Sequence, residues 1–283
     1  MRLITYDDGS GARAGIQVAE RVVAAASLGA PEGSLRSLLE ALEAPALAAL
    51  GRRAGEARTS TPLAAVRLLA PITDPEKIIC LGLNYLDHAE EIRQAIPKAP
   101  MWFAKFANSL VGHGAEIVLP RAHPDHVDYE GELAVVIGRR ARHVAERDAL
   151  SHVAGAMAFN DVSARDLQFQ NPLWTAGKAV DTFAPCGPAL VTLDELGDLQ
   201  ALGLRTRVNG RTVQEGTTAK MIFAVAPTIA WLSRTMTLVP GDIIATGTPA
   251  GVGASQGRYL RAGDSVEVEI DGIGTLANRV RAE

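Results

Sequence analysis

From Ile78 to the end of the chain, short apolar segments are separated by Gly and Pro, and few stretches have helical periodicity. Apolar runs of this length, bounded by turn residues, are typical of buried strands. Strands are predicted at Ile78–Leu81, Leu133–Gly138, Ala189–Val191, Arg205–Val208, Asp242–Thr246 and Ser265–Ile270. Helices are predicted only at Tyr85–Ala95 and Ala219–Leu232. The pattern therefore predicts an α+β fold that is mostly β.

The first quarter of the chain has a different pattern of predicted strands and helices. Three short strands are predicted there, followed by a helix from Ser34 to Ala54 with Ser34 as its N-cap. The strands are Arg2–Tyr6, Arg13–Val18 and Arg21–Ala25. A loop with several prolines then closes the segment. We therefore predict a small N-terminal α/β domain over residues 1–70 and a main domain over residues 71–283.

Composition narrows the functional classes. The net charge of −4, the absence of a basic block and an aromatic content of 5% argue against nucleic acid as the main partner. No apolar run approaches the ~18 residues of a membrane span, and the N-terminus does not resemble a signal peptide. Cys80 and Cys186 lie in apolar surroundings, which indicates reduced core residues. These features predict a cytoplasmic protein without a membrane or nucleic-acid partner.

Acidic residues precede one of the predicted strands. Asp128, Glu130 and Glu132 alternate along the chain and would share one face of a strand. Asp161 follows another apolar run, and it can meet the two glutamates where the strands end. Three carboxylates without Cys or suitably spaced His favour Mg²⁺, Mn²⁺ or Ca²⁺ over Zn²⁺. The alternative is a solvated sheet face on which Glu130 and Glu132 are each paired with an arginine.

Three further polar groups are candidates for catalysis or binding. His88 and Glu91 lie three apart on the helix that Asn84 is expected to cap, as a carboxylate-assisted general base requires. Lys178 could stabilise an enolate or a carboxylate, and Thr248 offers a hydroxyl from a Gly-rich turn. The alternatives are a solvated His–Glu pair and a lysine on a surface loop.

Six motifs in a fixed order cover the chain from Ile78 to Val280. They are NY-x-x-HA-x-E, YEGELAVVIG, ND-x-SARD-x-Q, GK-x-x-DTF-x-P-x-GP, NG-x-x-x-Q-x-x-T-x-x-x-MIF and GDII-x-TGTP-x-GVG. In this order they resemble the fumarylacetoacetate hydrolase superfamily. The resemblance implies a mixed β-sandwich roll that pairs as a homodimer, and residues 1–70 are similar to the variable N-terminal part of many bacterial members.

The resemblance also implies roles for residues of this chain. The metal-binding carboxylates of the family match Glu130, Glu132 and Asp161, and its active-site lysine matches Lys178. A water-activating dyad on a lid helix matches His88 and Glu91. Residues that line or adjoin the substrate pocket match Lys105, Arg165, Gln168 and Thr248. The expected cofactor is Mg²⁺ or Mn²⁺, with Ca²⁺ as a further candidate. The expected partner is a small 2-oxo acid.

Such a site supports more than one reaction on a 2-oxo acid, because each passes through a metal-stabilised enolate. Since the His–Glu dyad is complete, we expect hydrolysis of a C–C bond in an acylpyruvate-type 1,3-diketo acid. The alternatives are an isomerase or decarboxylase of 2-oxo dicarboxylates, such as a hydroxymuconate-type isomerase or an oxaloacetate decarboxylase. A structural protein that binds a divalent ion is the non-enzymatic alternative.

Overall fold

The computed structural model describes all 283 residues. Its strands are β1 (Arg2–Asp7), β2 (Ala12–Val18), β3 (Arg21–Ala24), β4 (Thr61–Pro62), β5 (Arg67–Leu68), β6 (Ile78–Gly82), β7 (Met101–Lys105), β8 (Leu110–Val111), β9 (Glu116–Leu119), β10 (Val127–Asp128), β11 (Gly131–Ile137), β12 (Val153–Asn160), β13 (Ser163–Ala164), β14 (Ala184–Thr192), β15 (Gly203–Val208), β16 (Arg211–Thr217), β17 (Ile243–Ala245), β18 (Ser265–Ile270) and β19 (Gly274–Ala282).

The helices are short and lie between the strands. They are α1 (Leu35–Ala41), α2 (Ala44–Glu56), α3 (Leu86–Glu91), α4 (Arg165–Gln168), α5 (Thr175–Lys178), α6 (Leu193–Leu196), α7 (Val225–Leu232) and α8 (Gly253–Gln256). None of them has the length and hydropathy needed to cross a lipid bilayer. The prediction of an α+β fold that is mostly β is confirmed.

Two large sheets form the body of the molecule. The larger has twelve strands, with the main order β4-β3-β2-β1-β14-β12-β11-β17-β6-β7. The smaller has five strands in the order β16-β15-β18-β19-β9. Strand β1 pairs antiparallel with β14, with Arg2 opposite Val191. The N-terminal strands therefore lie in the same sheet as β11 and β12, and the division at residue 70 stays a prediction.

Strand β11 is apolar throughout because both of its faces are buried. Leu133 and Val135 pack into a core shared with the smaller sheet, where they join residues such as Val268. Ala134 and Val136 point to the opposite side and join a second core that includes α1 and α2. A strand covered on both faces has no need of polar alternation. The layered arrangement agrees with the predicted mixed β-sandwich roll.

The predicted helices differ from the structure at their ends. The segment Ser34–Ala54 forms two helices, because the chain is extended at Leu42 and Glu43 before α2 begins. Ser34 caps α1 as predicted, since its hydroxyl accepts from the Ser37 amide. The predicted helix Tyr85–Ala95 ends at Glu91, and the predicted helix Ala219–Leu232 begins only at Val225. Periodicity does not reveal such ends, because they depend on local backbone geometry.

Asn84 does not cap α3, in contrast to the prediction. Tyr85 occupies the N-cap position without a side-chain cap. The Asn84 amide group instead donates to the carbonyl oxygens of Thr246 at 2.7 Å and Phe223 at 3.0 Å, while its own oxygen accepts from the Phe223 amide. Asn84 thus ties the segment before α3 to two distant loops.

Candidate active site

Three carboxylates meet where β11 begins and β12 ends. These strands are antiparallel neighbours, with Glu132 opposite Phe159, so that Asp161 emerges beside Glu130. The Asp161 amide donates to the Glu130 carbonyl oxygen at 2.8 Å, which fixes this approach. One carboxylate oxygen from each of Glu130, Glu132 and Asp161 lies within 4.8 Å of the others. The three side chains predicted to hold a metal are therefore brought together.

The cluster is buried, which contradicts the alternative of a solvated sheet face. Glu130 is 7% exposed, and Glu132 and Asp161 are fully buried. Like charges at this separation repel each other and resist removal from water. Their retention therefore needs positive charge close by.

Three cations surround the cluster. The Lys178 Nζ donates to Glu130 Oε2 at 2.9 Å and to Asp161 Oδ2 at 2.7 Å. The Lys105 Nζ donates to Asp161 Oδ1 and to the Val162 carbonyl oxygen. The Arg165 Nη1 lies 2.6 Å from Glu130 Oε1. Lys178 is 2% exposed, so its interpretation as a surface lysine is wrong.

These cations form ion pairs with Glu130 and Asp161 but none with Glu132. Burial opposes ionisation of Glu130, but Lys178 and Arg165 outweigh it and lower the pKa of Glu130 to about 2. Burial, followed by the charges of Asp161 and Glu130, raises the pKa of Glu132 well above its usual range. The Gly247 amide donates to Glu132 Oε2 at 2.9 Å, whereas the buried Glu132 Oε1 has no partner. A buried carboxylate oxygen without a partner destabilises the fold unless a ligand binds to it.

The donor set fits a hard divalent cation. Three carboxylates without a thiolate or imidazole are the ligands that Mg²⁺, Mn²⁺ and Ca²⁺ prefer. Such an ion would satisfy Glu132 Oε1 and offset the repulsion among the three acids. Glu130, Glu132 and Asp161 are therefore the residues that would hold it.

The two lysines differ in electrostatic character. Burial lowers the pKa of Lys105 despite the adjacent Asp161 carboxylate. Burial also opposes the charge on Lys178, but Asp161 and Glu130 together outweigh it and raise the pKa of Lys178. Lys178 is therefore the more firmly charged cation next to the cluster.

The carboxylate of Asp128 lies outside the cluster and has a structural set of partners. The Arg165 Nε and Nη2 donate to Asp128 Oδ2 at 2.9 and 2.7 Å. The amides of Gly253 and Ala254 donate to the two oxygens of the same carboxylate. Arg165 thus bridges Asp128 and Glu130, and its third contact is with Gln168 Oε1 at 2.9 Å.

The predicted His–Glu pair forms on α3. His88 Nδ1 lies 3.0 Å from Glu91 Oε2, and the two side chains are 12% and 20% exposed. The other oxygen of Glu91 accepts from the Gly251 amide at 2.9 Å and from the Ser255 hydroxyl at 2.7 Å. The pair is therefore neither fully solvated nor free to rotate. The same turn that supplies the Gly251 amide also supplies the Gly247 amide, which donates to Glu132 Oε2 at 2.9 Å, so one turn contacts both the pair and the cluster.

Thr248 has a more internal position than a pocket-lining role requires. Its hydroxyl donates to the Gly131 carbonyl oxygen at 2.8 Å and accepts from Gln214 Nε2 at 2.8 Å. Gln214 Oε1 in turn accepts from the Gly131 amide at 2.9 Å. Thr248 and Gln214 hold the start of β11, and contact of Thr248 or Gln168 with substrate stays a prediction.

Sequence reasoning did not assign roles to Ser255, Gln214 or the Asn160 side chain. Asn160 Oδ1 accepts from the Glu130 amide at 3.0 Å and so fixes the backbone of a cluster residue. Asn160 and Gln214 belong to the ND and NG-x-x-x-Q motifs, which marked them without indicating a function. Ser255 lies just beyond the last motif and had no signal in the sequence.

Comparison with known proteins assigns the chain to a family. The model of the fumarylacetoacetate (FAA) hydrolase C-terminal domain matches residues 77–281. The chain therefore belongs to the fumarylacetoacetate hydrolase family, as the resemblance predicted, and its fold is that of an enzyme of this superfamily.

The proteins to which the chain is similar have a range of named activities. The human mitochondrial oxaloacetate tautomerase FAHD2A is 47% identical over 223 residues, which cover 77% of this chain and 71% of the relative. The crystal structure of 5-carboxymethyl-2-hydroxymuconate delta-isomerase from Mycobacterium smegmatis is 34% identical, with a TM-score of 0.80 and coverage of 100% and 99% of the two chains. The maleylpyruvate hydrolase from Sphingobium sp. SYK-6, in complex with manganese(II) and pyruvate, is 31% identical, with a TM-score of 0.84 and the same coverage.

Proposed function

We propose that this protein is a metal-dependent enzyme that interconverts the keto and enol forms of a short 2-oxo dicarboxylate, with oxaloacetate as the first candidate. One observation carries the proposal: the turn whose Gly247 amide donates to Glu132 also donates to Glu91 through its Gly251 amide. The His88–Glu91 pair is therefore tied to the buried carboxylate cluster that already holds the ammonium group of Lys178. The similarity to an oxaloacetate tautomerase supports this choice of substrate.

Glu130, Glu132 and Asp161 would hold a Mg²⁺ or Mn²⁺ ion, which when bound supplies a Lewis acid for the 2-oxo acid end of the substrate. Lys178 places a second positive charge beside the same position, where negative charge develops on the substrate oxygen. Arg165 lies at the same cluster, but its guanidinium is already engaged by Asp128, Glu130 and Gln168, so its contact with a substrate carboxylate stays a prediction.

His88 is the candidate for proton transfer. The contact between its Nδ1 and Glu91 fixes one tautomer, in which Nδ1 carries the proton and Nε2 can act as base. In this tautomerisation His88 Nε2 takes a proton from C3, and the proton is then returned to the oxygen on C2. One C–H bond breaks, one O–H bond forms, and His88 ends in its starting state. Proton transfer of this kind contributes roughly 10²–10⁴-fold to a rate.

Hydrolysis of an acylpyruvate-type 1,3-diketo acid is the second candidate. The partial exposure of His88 and Glu91, at 12% and 20%, favours it because solvent water can reach the pair. Activated water would then attack the carbonyl beyond C3. Isomerisation or decarboxylation of other 2-oxo dicarboxylates uses the same enolate. A purely structural ion site explains the fewest features, since it needs neither the His88–Glu91 pair on α3 nor a buried Lys178.

The test compares three reactions on one set of proteins. Oxaloacetate tautomerisation, acetylpyruvate hydrolysis and oxaloacetate decarboxylation are measured with Mg²⁺ or Mn²⁺ and after removal of the metal by a chelator. We expect tautomerisation to be the fastest reaction and to require metal. His88→Ala should lower it by roughly 10²–10⁴-fold and should spare decarboxylation, which needs no proton acceptor.

His123→Ala is the matched control for this experiment. His123 forms a similar pair with Asp166, with Nδ1 and Oδ2 2.6 Å apart, but neither side chain is bonded to Glu130, Glu132 or Asp161. The control variant should retain activity. Faster hydrolysis than tautomerisation would establish the second candidate, and full tautomerisation by His88→Ala would refute His88 as the base. A homodimer, a cytoplasmic location and the lack of a nucleic-acid partner stay predictions.

A further inference from the structure

The Glu91 carboxylate divides its contacts between two sides. Its Oε2 faces His88 Nδ1, while its Oε1 is held by the Gly251 amide and the Ser255 hydroxyl. The two contacts on Oε1 leave Oε2 as the oxygen available to His88. We propose that Ser255 is a positioning residue that orients the His88–Glu91 pair. This inference rests on the proposed function.

Helix α3 needs such support because it is short and has no side-chain cap. Helices of this length are not stable by themselves, so their position depends on tertiary contacts. Leu83 and Arg93, just outside its two ends, have positive φ angles of 52° and 55°, which are unfavourable for these residue types. The backbone is therefore strained on both sides of α3, and tertiary contacts must hold the helix in place.

The other two side-chain contacts of α3 are made by Asp87 and are weaker, and in one of them Asp87 Oδ1 accepts from the Ala250 amide at 3.4 Å. Asp87 Oδ2 lies 3.1 Å from the Lys220 Nζ, and these side chains are 19% and 50% exposed. Exposed ion pairs of this kind contribute little and are screened by salt. A short hydroxyl–carboxylate hydrogen bond is more directional. Ser255 is therefore better placed than Lys220 to set the rotation of the Glu91 carboxylate.

Ser255 has two acceptors for a single proton. Its Oγ lies 2.7 Å from Glu91 Oε1 and 2.8 Å from the Val252 carbonyl oxygen. The ionised carboxylate is the stronger acceptor when α3 is in place. If α3 moves away, the proton can turn to Val252 and the hydroxyl stays satisfied. The contact can therefore hold the pair during proton transfer and release it without leaving an unpaired group.

The first test is steady-state kinetics on the full-length enzyme with Mg²⁺. Ser255→Ala should lower kcat for tautomerisation roughly tenfold, the effect of losing a hydrogen bond to a charged group, with KM unchanged. Ser255→Thr keeps the hydroxyl and should restore kcat. Ser27→Ala is the matched control, because Ser27 is also exposed and bonds to the carbonyl three residues earlier, but it is remote from α3 in the sequence and has no contact with it.

Two further measurements separate this role from general stability and from the proposed function. In a His88→Ala background, Ser255→Ala should have no additional effect on kcat, because the group that it positions is gone. Independently of any turnover, hydrogen exchange of the α3 amides should be faster in Ser255→Ala than in Ser255→Thr or Ser27→Ala. Unchanged exchange and unchanged kcat in Ser255→Ala would overturn the inference. If Ser255→Ala shows faster exchange but the wild-type enzyme turns over none of the substrates, the contact is supported and only the proposed function is contradicted.

Discussion

Glu132 is the residue with the least favourable surroundings in the absence of metal. It is fully buried, its Oε1 has no partner, and burial together with Asp161 and Glu130 raises its pKa. We expect Glu132→Gln to make the metal-free protein more stable at neutral pH, by roughly 1–3 kcal/mol, because a carboxyl that ionises freely only in the unfolded chain is replaced by a neutral amide. The same change should weaken binding of Mn²⁺, which calorimetry would measure.

The sign of this effect can be checked by pH. A carboxyl whose folded pKa is raised stabilises the fold below its unfolded pKa, and this contribution is lost as the pH rises through the folded pKa. The advantage of Glu132→Gln should therefore shrink as the pH falls from 7 towards about 4, and it should be absent below that pH. Chemical denaturation at several pH values measures it, with the exposed Glu20→Gln as control. A variant that is less stable than wild type without metal would show that Glu132 has a structural partner.

The contribution of Glu130 to stability has the opposite pH dependence. Its pKa is lowered to about 2 because Lys178 and Arg165 outweigh burial, so its contribution is complete above the unfolded pKa and is lost as the pH falls from about 4 towards 2. Lys178→Met should destabilise the metal-free protein at pH 7 by about 3–5 kcal/mol, since two buried carboxylates lose a partner. Its stability should also fall less steeply in acid.

Unfolding curves of metal-free wild type and Lys178→Met between pH 7 and pH 2 provide the measurement. Lys98→Met is the control, because Lys98 is exposed and lies outside the cluster. Equal stability of Lys178→Met and the control at pH 7 would mean that the lysine does not compensate the carboxylates.

At the scale of elements, α3 is the helix on which a change on ligand binding is expected. It carries His88 and Glu91, yet its Leu86 is 41% exposed and Ile92, directly after it, is 39% exposed. Loops and short helices beside catalytic sites often close over ligand and exclude water. We therefore expect hydrogen exchange of the α3 amides to slow when Mg²⁺ and oxalate, a non-reactive 2-oxo acid mimic, are both present.

Helix α2 is the internal reference for this measurement, because it packs into the core beside the N-terminal strands. Its exchange should not respond to oxalate. Equal exchange of α3 with and without saturating ligand would contradict a helix that orders over the site.

At the scale of the whole molecule, the N-terminal segment is an integral part of the larger sheet. Leu3, Leu38 and Leu50 are essentially buried in the same core as Phe159 and Cys186, and β1 pairs with β14. Removal of residues 1–70 would expose this core and one edge of β14. We expect the chain 71–283 to unfold at a lower temperature than the full chain, or to aggregate.

Leu50→Ala tests the same core without a deletion and should cost about 2–5 kcal/mol, the usual range for a buried leucine. Leu150→Ala is its control, since Leu150 is 42% exposed. Thermal unfolding followed by circular dichroism compares all variants. A fragment 71–283 as stable as the full chain would establish residue 70 as the boundary of an independently folding domain.

Much of the fold could be predicted from local patterns. Strand β18 coincides with its predicted range Ser265–Ile270, and the apolar run of β11 correctly indicated a buried strand. Spacing along two strands and the order of motifs also indicated that Glu130, Glu132 and Asp161 belong together. Periodicity carries this information because the side chains of a strand alternate between faces whatever surrounds them.

The partners of these residues depend on the tertiary structure alone. Lys178 reaches Glu130 across 48 positions of sequence, and Ser255 reaches Glu91 across 164. Whether a carboxylate is paired, shared or left without a donor depends on side chains that arrive from other strands and loops. The sequence by itself therefore determined the family, the sheet-forming segments and the acids of the site. Only packing decided that Glu130 is strongly compensated and Glu132 is not, because charge balance in a buried site depends on distances of a few ångströms between residues far apart in the chain.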